Sequence, residues 1–372
     1  MIKKLYVFAN MGHLNELPKS GGQSSARRVM KGLQESGFEI VPIRRHRSEW
    51  EGRRKHQVEV LLFALIDSCK IVWKMLFGCR RNSMFLHLTY AGPLVPFELF
   101  LSALMVLMRY KRITYIKGGQ ILDYFANASK IHRWMFKRNM DLQQLVMAEG
   151  EATIDVVKSV SNVKTVYFPN YVFDELIPED VPEKPKDVIN LCYFGRIGPD
   201  KNIHIILDAF ELLCQKYKNM HLTLIGGKGK SQAYVDSIDR KISSSPYRDR
   251  ITRKGISSQD YIREVLKGQH FFLFPSKEKA EGHSNSLTEA MSYGVVPVVS
   301  DWHFNKAIVG DSRMVVTSFN ATDYAERISN LINDKNFESM SRKVWLRIKS
   351  MYSYSIVNKE ITANISELLC KQ

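Results

Sequence analysis

A chain of 372 residues, 45% apolar and 25% charged, is too long for one ordinary core and too apolar to stay disordered, so two folded domains are expected. Basic residues outnumber acidic ones 54 to 38, and residues 1–170 alone hold 26 Lys/Arg against 13 Asp/Glu, so the first half faces something anionic. The cysteines Cys69, Cys79, Cys192, Cys214 and Cys370 are odd in number and form neither a Cys-x-x-Cys pair nor a cluster with histidine, which argues against a disulfide framework or a zinc site and for a reducing cytosol.

The first ten residues read as a strand centred on Leu5 to Ala9, with an apolar part too short for a secretory leader, so neither cleavage nor export is expected. Gly21-Gly22-Gln23-Ser24-Ser25 then opens a helix running to about Glu35, and Phe38 to Ile43 reads as the second strand. Two basic clusters follow, Arg44-Arg45-His46-Arg47 and Arg53-Arg54-Lys55. Beyond them, Val58 to Phe77 has helical period, with Glu59, Asp67, Lys70 and Lys74 on one narrow stripe and a broad apolar face opposite. This pattern fits a helix lying on an anionic membrane surface; it also fits a crossover helix beside a solvated basic loop. No run reaches the roughly 18 uninterrupted apolar residues that a spanning helix needs.

Further apolar runs at Met84 to Leu88, Ile113 to Ile116, Leu145 to Ala148 and Val163 to Phe168 alternate with helix-length segments, which points to a parallel sheet with crossover helices. After Pro169-Asn170 the alternation stops. The Pro-rich acidic stretch Ile177 to Pro185 has neither period and reads as a linker. A second βα series occupies Val188 to Phe194, Leu222 to Ile225, Ile251 to Arg253, Phe271 to Phe274, Val295 to Val299 and Met314 to Val316, and the chain closes with a helical segment from Asp334. The predicted architecture is α/β: two doubly wound domains facing each other across a cleft, with boundaries at 1–171, a linker 172–187, a second domain 188–352 and a C-terminal helix 353–372 packing back on the first domain.

Chemistry concentrates in the second half. Gly195-Arg196-Ile197-Gly198-Pro199-Asp200-Lys201-Asn202 leaves a strand and opens a helix, offering two cations that suit a diphosphate. Glu281-Gly282-His283-Ser284-Asn285-Ser286-Leu287-Thr288-Glu289 lies between two strands. It reads as a turn and a helix start, with backbone N–H groups near Ser284 to Ser286 that suit a phosphate and two carboxylates that suit sugar hydroxyls. The simpler alternatives are a turn carboxylate and a surface helix residue.

Together with Phe274-Pro275-Ser276 and Pro169-Asn170, these segments resemble the retaining glycosyltransferases of GT-B fold known as family 4, over nearly the whole chain; the most specific part is the E-x7-E motif, Glu281 to Glu289. The resemblance implies that Arg196 and Lys201 hold the donor diphosphate, that Glu281 contacts donor-sugar hydroxyls, that Glu289 binds the ribose, and that the backbone of Asn285, Ser286 and Leu287 completes the phosphate site. Gly21 and Gly22 resemble the family's glycine pair, which lets backbone approach the donor. Lys117, followed by Gly118-Gly119, stands where many relatives carry histidine, and a lysine suits a phosphate or hydroxyl better than a base role. His87 matches a histidine common at that strand end, or is a satisfied core imidazole. His283 stands where relatives often have an aromatic residue, so packing and donor contact are both open. Gly226-Gly227-Lys228-Gly229 follows a strand and is expected to border the nucleotide, and Arg253-Lys254-Gly255-Ile256 resembles the segment whose backbone reads the base in relatives.

The reaction so implied moves a sugar from a nucleoside diphosphate to an acceptor hydroxyl with retention, without a metal or other cofactor. From the basic, apolar-faced first half, a lipid-linked saccharide is expected as acceptor, at the cytoplasmic face of the inner membrane, in surface polysaccharide synthesis. Three rivals differ in what they need: a nucleotide-sugar epimerase of the same fold needs no acceptor, a glycoside hydrolase has its carboxylates across a cleft without a phosphate-binding helix start, and a nucleic-acid-binding protein has readout elements among its cations. No nucleic-acid partner is expected.

Overall fold

The structure is a computed structural model that describes residues 3–16, 18, 20–46, 53–77, 83–229, 231–334 and 336–370. It divides into two compact units, residues 1–170 with 357–372, and residues 171–356. In chain order the first unit runs β1 (Lys3–Ala9), α1 (Gly21–Glu35), β2 (Phe38–Arg44), α2 (Arg53–Leu76), β3 (Ser83–Thr89), α3 (Val95–Leu107), β4 (Lys111–Ile116), α4 (Gln120–Asn127), α5 (Lys130–Asp141), β5 (Leu145–Ala148), α6 (Glu151–Lys158) and β6 (Thr165–Tyr167). The second runs β7 (Ile189–Phe194), α7 (Ile203–Lys216), β8 (Met220–Ile225), α8 (Gln232–Ser244), β9 (Ile251–Lys254), α9 (Gln259–Lys267), β10 (Phe271–Phe274), α10 (Asn285–Ser292), β11 (Val296–Ser300), α11 (Asn305–Val309), β12 (Val315–Val316), α12 (Ala321–Asn333) and α13 (Phe337–Arg347). A π-helical turn, Ile348–Tyr352, leads into α14 (Tyr354–Cys370).

Each unit is built on a six-stranded, all-parallel sheet, ordered β2-β1-β3-β4-β5-β6 in the first and β12-β11-β10-β7-β8-β9 in the second. Helices cover both faces, so the strands read in sequence as continuous apolar runs and not as alternation. Every residue of β3 and of β11 is buried. In the first unit one face of the sheet packs Tyr6, Phe8 and Phe85 against Ile71 and Met75 of α2 and Leu101 and Met105 of α3. A second cluster joins Ile116 and Val146 to Ile121, Phe136, Met140 and Val157. In both sheets the strand order reverses beside the first strand of the unit, between β1 and β3 and between β7 and β10. Open parallel sheets place ligands at the carboxyl ends of the strands flanking such a reversal.

Two segments are held by packing that composition does not record. The Pro-rich stretch read as a linker belongs to the second unit. Val172 exchanges backbone bonds with the end of the π-helical turn and the start of α14, donating to the Tyr352 carbonyl and accepting from Tyr354 N–H, and Trp345 Nε1 donates to the Pro178 carbonyl at 3.1 Å. Prolines there suppress regular structure without freeing the chain. On α2, Asp67 is buried, bonded to the His46 N–H at 3.0 Å and to its Nδ1 at 2.5 Å, which ties α2 to the exit of β2. Leu62, Leu65, Ile66, Trp73, Leu76 and Phe77 face solvent instead. Arg47 of the first basic cluster lies outside the described residues, as does Cys79, and the second cluster begins α2.

The final helix closes the first unit. Asn358 donates to the Gly32 carbonyl at 3.2 Å, Lys3 Nζ donates to Ser366 at 2.8 Å, and Lys164 pairs with Glu367 at 2.7 Å. Counted by unit, Lys/Arg exceed Asp/Glu by 28 to 15 in the first and by 26 to 23 in the second, so the charge asymmetry follows the architecture.

Candidate functional site

The two strands that flank the reversal in the second unit, β7 and β10, pair in parallel, with Phe271 opposite Leu191. Their exits lie side by side, and each carries one of the charged segments. Leaving β7, the chain turns at Gly195, whose φ of +146° suits glycine. Beside it Gly226, at the exit of β8 with φ +150°, comes so close that a Cβ would lie 1.7 Å from the Gly195 carbonyl oxygen. Pairing then continues past the strands: Ile197 N–H donates to the Gly227 carbonyl and Gly229 N–H to that of Ile197, both at 2.9 Å. The glycines at 226–229 therefore brace the Arg196 turn. Next, Asn202 takes the left-handed conformation (φ +52°) and its side chain donates to the Pro275 carbonyl at 2.8 Å, tying the two exits together.

This framework brings four charges to one place. Lys201 is nearly fully buried, lies over the Phe274 ring, and contacts Glu278 Oε2 at 2.7 Å, Glu281 Oε2, and Ser276 Oγ at 3.3 Å. Arg196 bonds Glu278 Oε1, and Glu281 also accepts from Ser276 Oγ at 2.8 Å. Burial alone would depress the Lys201 ammonium, but Glu281 and Glu278 overcome it and raise its pKa. Burial likewise works against Glu278, and Lys201 and Arg196 reverse it to hold that carboxylate below its usual range. Arg196 is raised against burial by Glu278. The formal charges of the two cations and two acids cancel, so the ions are desolvated together as an oriented group.

Arg196, Lys201 and Glu281 are therefore brought together as their sequence positions suggested, and Glu278 is an addition. It lies three residues before the first motif glutamate, at a spacing that no recognised pattern marks. Glu289 is half-buried inside α10, the helix that Ser284 caps through the Leu287 N–H at 3.5 Å. That cap uses the Leu287 amide, while Asn285 and Ser286 occupy the first positions of the helix. His283 is buried with its ring edge-on to Tyr352, centroids 4.6 Å apart, which is a packing contact.

In the first unit Gly21 and Gly22 begin α1, capped by Ser20. A Cβ on Gly22 would come within 2.5 Å of the Tyr90 hydroxyl, whereas one on Gly21 would meet nothing within 4 Å. Lys117, at the exit of β4, is buried and sits in a network that the sequence did not announce. Its Nζ bonds Ser25 Oγ and lies 3.6 Å from Glu149 Oε1; Ser25 donates to Asn170 Oδ1 at 2.5 Å, and Glu149 Oε2 accepts from the Gly118 N–H at 2.6 Å. Burial outweighs Glu149 here and lowers the lysine pKa. His87, at the end of β3, packs against Phe8 and Phe85, with the Phe8 centroid at 5.2 Å. Burial and then Arg45 push its pKa well down, so the imidazole is neutral. Close by in sequence, Glu98 is buried and accepts from Thr89; burial raises its pKa against Arg45 and Thr89. A glutamate inside the apolar run Leu94 to Met108 was the available signal for it.

Comparison with known proteins fits this geometry. The fold is GT-B, two Rossmann-like α/β units: sucrose-phosphate synthase from Thermosynechococcus elongatus matches the entire chain over its own entire length, with a TM-score of 0.78 at 13% identity. Anabaena HepE in complex with UDP matches 98% of the chain over 100% of its own, with a TM-score of 0.72 at 13% identity.

A family model described as "Glycosyl transferases group 1" matches residues 177–344, which hold the whole charged cluster, so the second unit carries a glycosyltransferase domain. The chain is 23% identical over 221 residues to the phosphatidylinositol N-acetylglucosaminyltransferase gpi3 subunit of Schizosaccharomyces pombe, covering 58% of this chain. It is also 23% identical over 178 residues to the capsular polysaccharide biosynthesis glycosyltransferase CapM of Staphylococcus aureus, covering 48% of this chain. The chain spans about half the length of these curated relatives, 46% of each.

Proposed function

We propose that this protein is a retaining glycosyltransferase of family 4 that moves a sugar from a nucleoside diphosphate to a hydroxyl of a lipid-linked saccharide in polysaccharide synthesis. The observation that carries the reading is the buried cluster of Arg196, Lys201, Glu278 and Glu281 at the β7–β10 reversal of a glycosyltransferase group 1 domain. In this reading Arg196 and Lys201 grip the diphosphate, the first turn of α10 at Asn285 and Ser286 adds its dipole, Glu281 meets the donor sugar and Glu289 the ribose. The HepE structure, which holds UDP on a similar fold, is consistent with such a donor. As the glycosidic bond stretches, charge grows on the leaving diphosphate, and two fixed cations stabilise that state more than the ground state. The departing phosphate oxygen takes the acceptor proton, which leaves buried Lys117 without a base role. No divalent cation is needed by this scheme, so a chelator should leave the rate unchanged.

The acceptor side rests on the first unit. Its basic excess and the exposed apolar row Leu62, Leu65, Ile66, Trp73 and Leu76 on α2, continued by Phe77 just past its end, suit an anionic bilayer, which would hold the protein peripherally at the cytoplasmic face of the inner membrane. No helix among the described residues is long and apolar enough to cross a membrane. One experiment tests both halves: incubate the protein with nucleotide sugars and with lipid extract on anionic liposomes, and follow released nucleotide and glycosylated lipid. Sugar transfer that needs the acceptor, and binding that weakens with salt and in Trp73→Ser/Phe77→Ser, is the expected result. Nucleotide-sugar isomerisation without acceptor would replace the transferase by an epimerase.

A further inference from the structure

Glu278 bridges the two cations that the proposed reading gives to the donor diphosphate. One carboxylate oxygen meets Arg196 and the other meets Lys201 at 2.7 Å. A diphosphate would engage the same pair through its own oxygens, since forked arginine and ammonium groups bind carboxylate and phosphate alike. We infer that Glu278 is a built-in occupant of the diphosphate subsite, which the donor must displace in order to bind.

Three observations carry this. The cluster is already neutral, two cations against Glu278 and Glu281, so a polyanion added with both acids in place would meet uncompensated like charge. Next, the two acids are held differently. Glu281 keeps a neutral partner, Ser276 Oγ at 2.8 Å, whereas among the described residues the carboxylate of Glu278 bonds the two cations alone. Glu278 is thus the acid that can leave.

Its backbone, finally, is fixed independently of its side chain. The Glu278 carbonyl accepts from Trp302 Nε1 and from the Glu281 N–H, both at 2.9 Å, and the preceding Lys277 N–H donates to the Asp200 carbonyl at 2.9 Å. Release therefore requires a side-chain rotation and no movement of the turn. Arg196 is about a third exposed, which gives the swinging carboxylate a solvent-facing exit. Until the donor arrives, Glu278 keeps a buried lysine and a neighbouring arginine extended, paired and pointed at the subsite, which spares the cost of leaving them desolvated and alone.

The inference rests on the donor-site reading above, and calorimetric titration of the full chain with inorganic pyrophosphate, UDP and GDP separates the two. Glu278→Gln keeps the size of the side chain and removes its charge; it should bind pyrophosphate and the preferred nucleotide about tenfold more tightly than the wild type, the scale of losing one competing ionic partner. Glu278→Asp, one methylene shorter, cannot bridge both cations and should bind more tightly than the wild type by a smaller factor; it also covers the case in which the glutamine variant does not fold. A wild type that binds while both variants bind equally or more weakly would overturn the inference alone and make Glu278 a residue that merely orients the cations. A wild type and variants that all fail to bind any of the three would overturn the donor-site reading with it.

Discussion

Lys201 and Lys117 are the same residue type in matching surroundings: each follows a parallel strand, each is buried to about 95% and each faces glutamate, yet their pKa values move in opposite directions. Lys201 has two carboxylates, one of them at 2.7 Å, while Lys117 has one at 3.6 Å whose other oxygen is spent on the Gly118 N–H. The comparison shows that burial does not decide a lysine's charge; the number and freedom of its acidic partners do. In the second unit two acids face two cations, an arrangement fit to exchange one anion for another. In the first, the lysine is committed to Ser25 and Glu149 and so ties α1, β4 and β5 together.

The largest way to break that contrast is to remove each lysine in turn. Lys201→Ala should lower kcat/KM for sugar transfer by about 10³-fold, the upper scale for loss of one transition-state donor. Lys117→Met should instead act on folding. It leaves Glu149 buried without its cation, an uncompensated charge worth about 3 kcal/mol in denaturant unfolding, while the folded fraction keeps transfer within about tenfold of wild type. Equal losses of activity at unchanged stability would place both lysines at the reacting groups and end the distinction.

Glycines sharpen the same comparison. Gly226→Ala forces a Cβ onto the Gly195 carbonyl at a φ that side chains rarely adopt, so it should cost about 4 kcal/mol or more and take the Arg196 turn with it. Gly21→Ala enters open space in the first turn of a helix and should change unfolding by less than about 0.5 kcal/mol. A rise in donor KM in that variant, at an unchanged unfolding midpoint, is the signature of backbone approach to a ligand; an unchanged KM would remove Gly21 from the donor site.

Much of this was legible in the residues because a parallel sheet buried on both faces writes its strands as unbroken apolar runs. Phe271 to Phe274 and Val296 to Ser300 are such cases, and the helix between them was announced by Ser284 and the acids around it. Arg196, Lys201 and Glu281 were readable because each follows a strand end by a few residues, where topology gathers loops from distant parts of the chain. Glu278, Glu149 and Glu98 were not. Each owes its importance to a partner between 9 and 82 residues away, and no local period records such pairs. The packing of the Pro-rich segment was hidden for a related reason: its composition says only that it lacks regular structure, while its contact with Trp345 depends on a helix more than 160 residues later.

The smallest expected effect tests the electrostatics directly, through alkaline stability. For Lys117 the folded pKa lies below the ordinary 10.5, so between the two values the unfolded chain holds a proton that the folded one has released, and stability rises with pH across that window. For Lys201 the folded value lies above 10.5, so its contribution is fully present below that pH and is lost as pH climbs through the raised value. Urea midpoints of wild type, Lys117→Met and Lys201→Met, followed from pH 8 upward, isolate each lysine by difference. The wild type should gain on Lys117→Met as pH approaches 10.5 and lose ground to Lys201→Met beyond it. Slopes of the same sign for both would mean that the two lysines feel the same environment, and that the paired acids of the second unit do not hold Lys201 in its charged form.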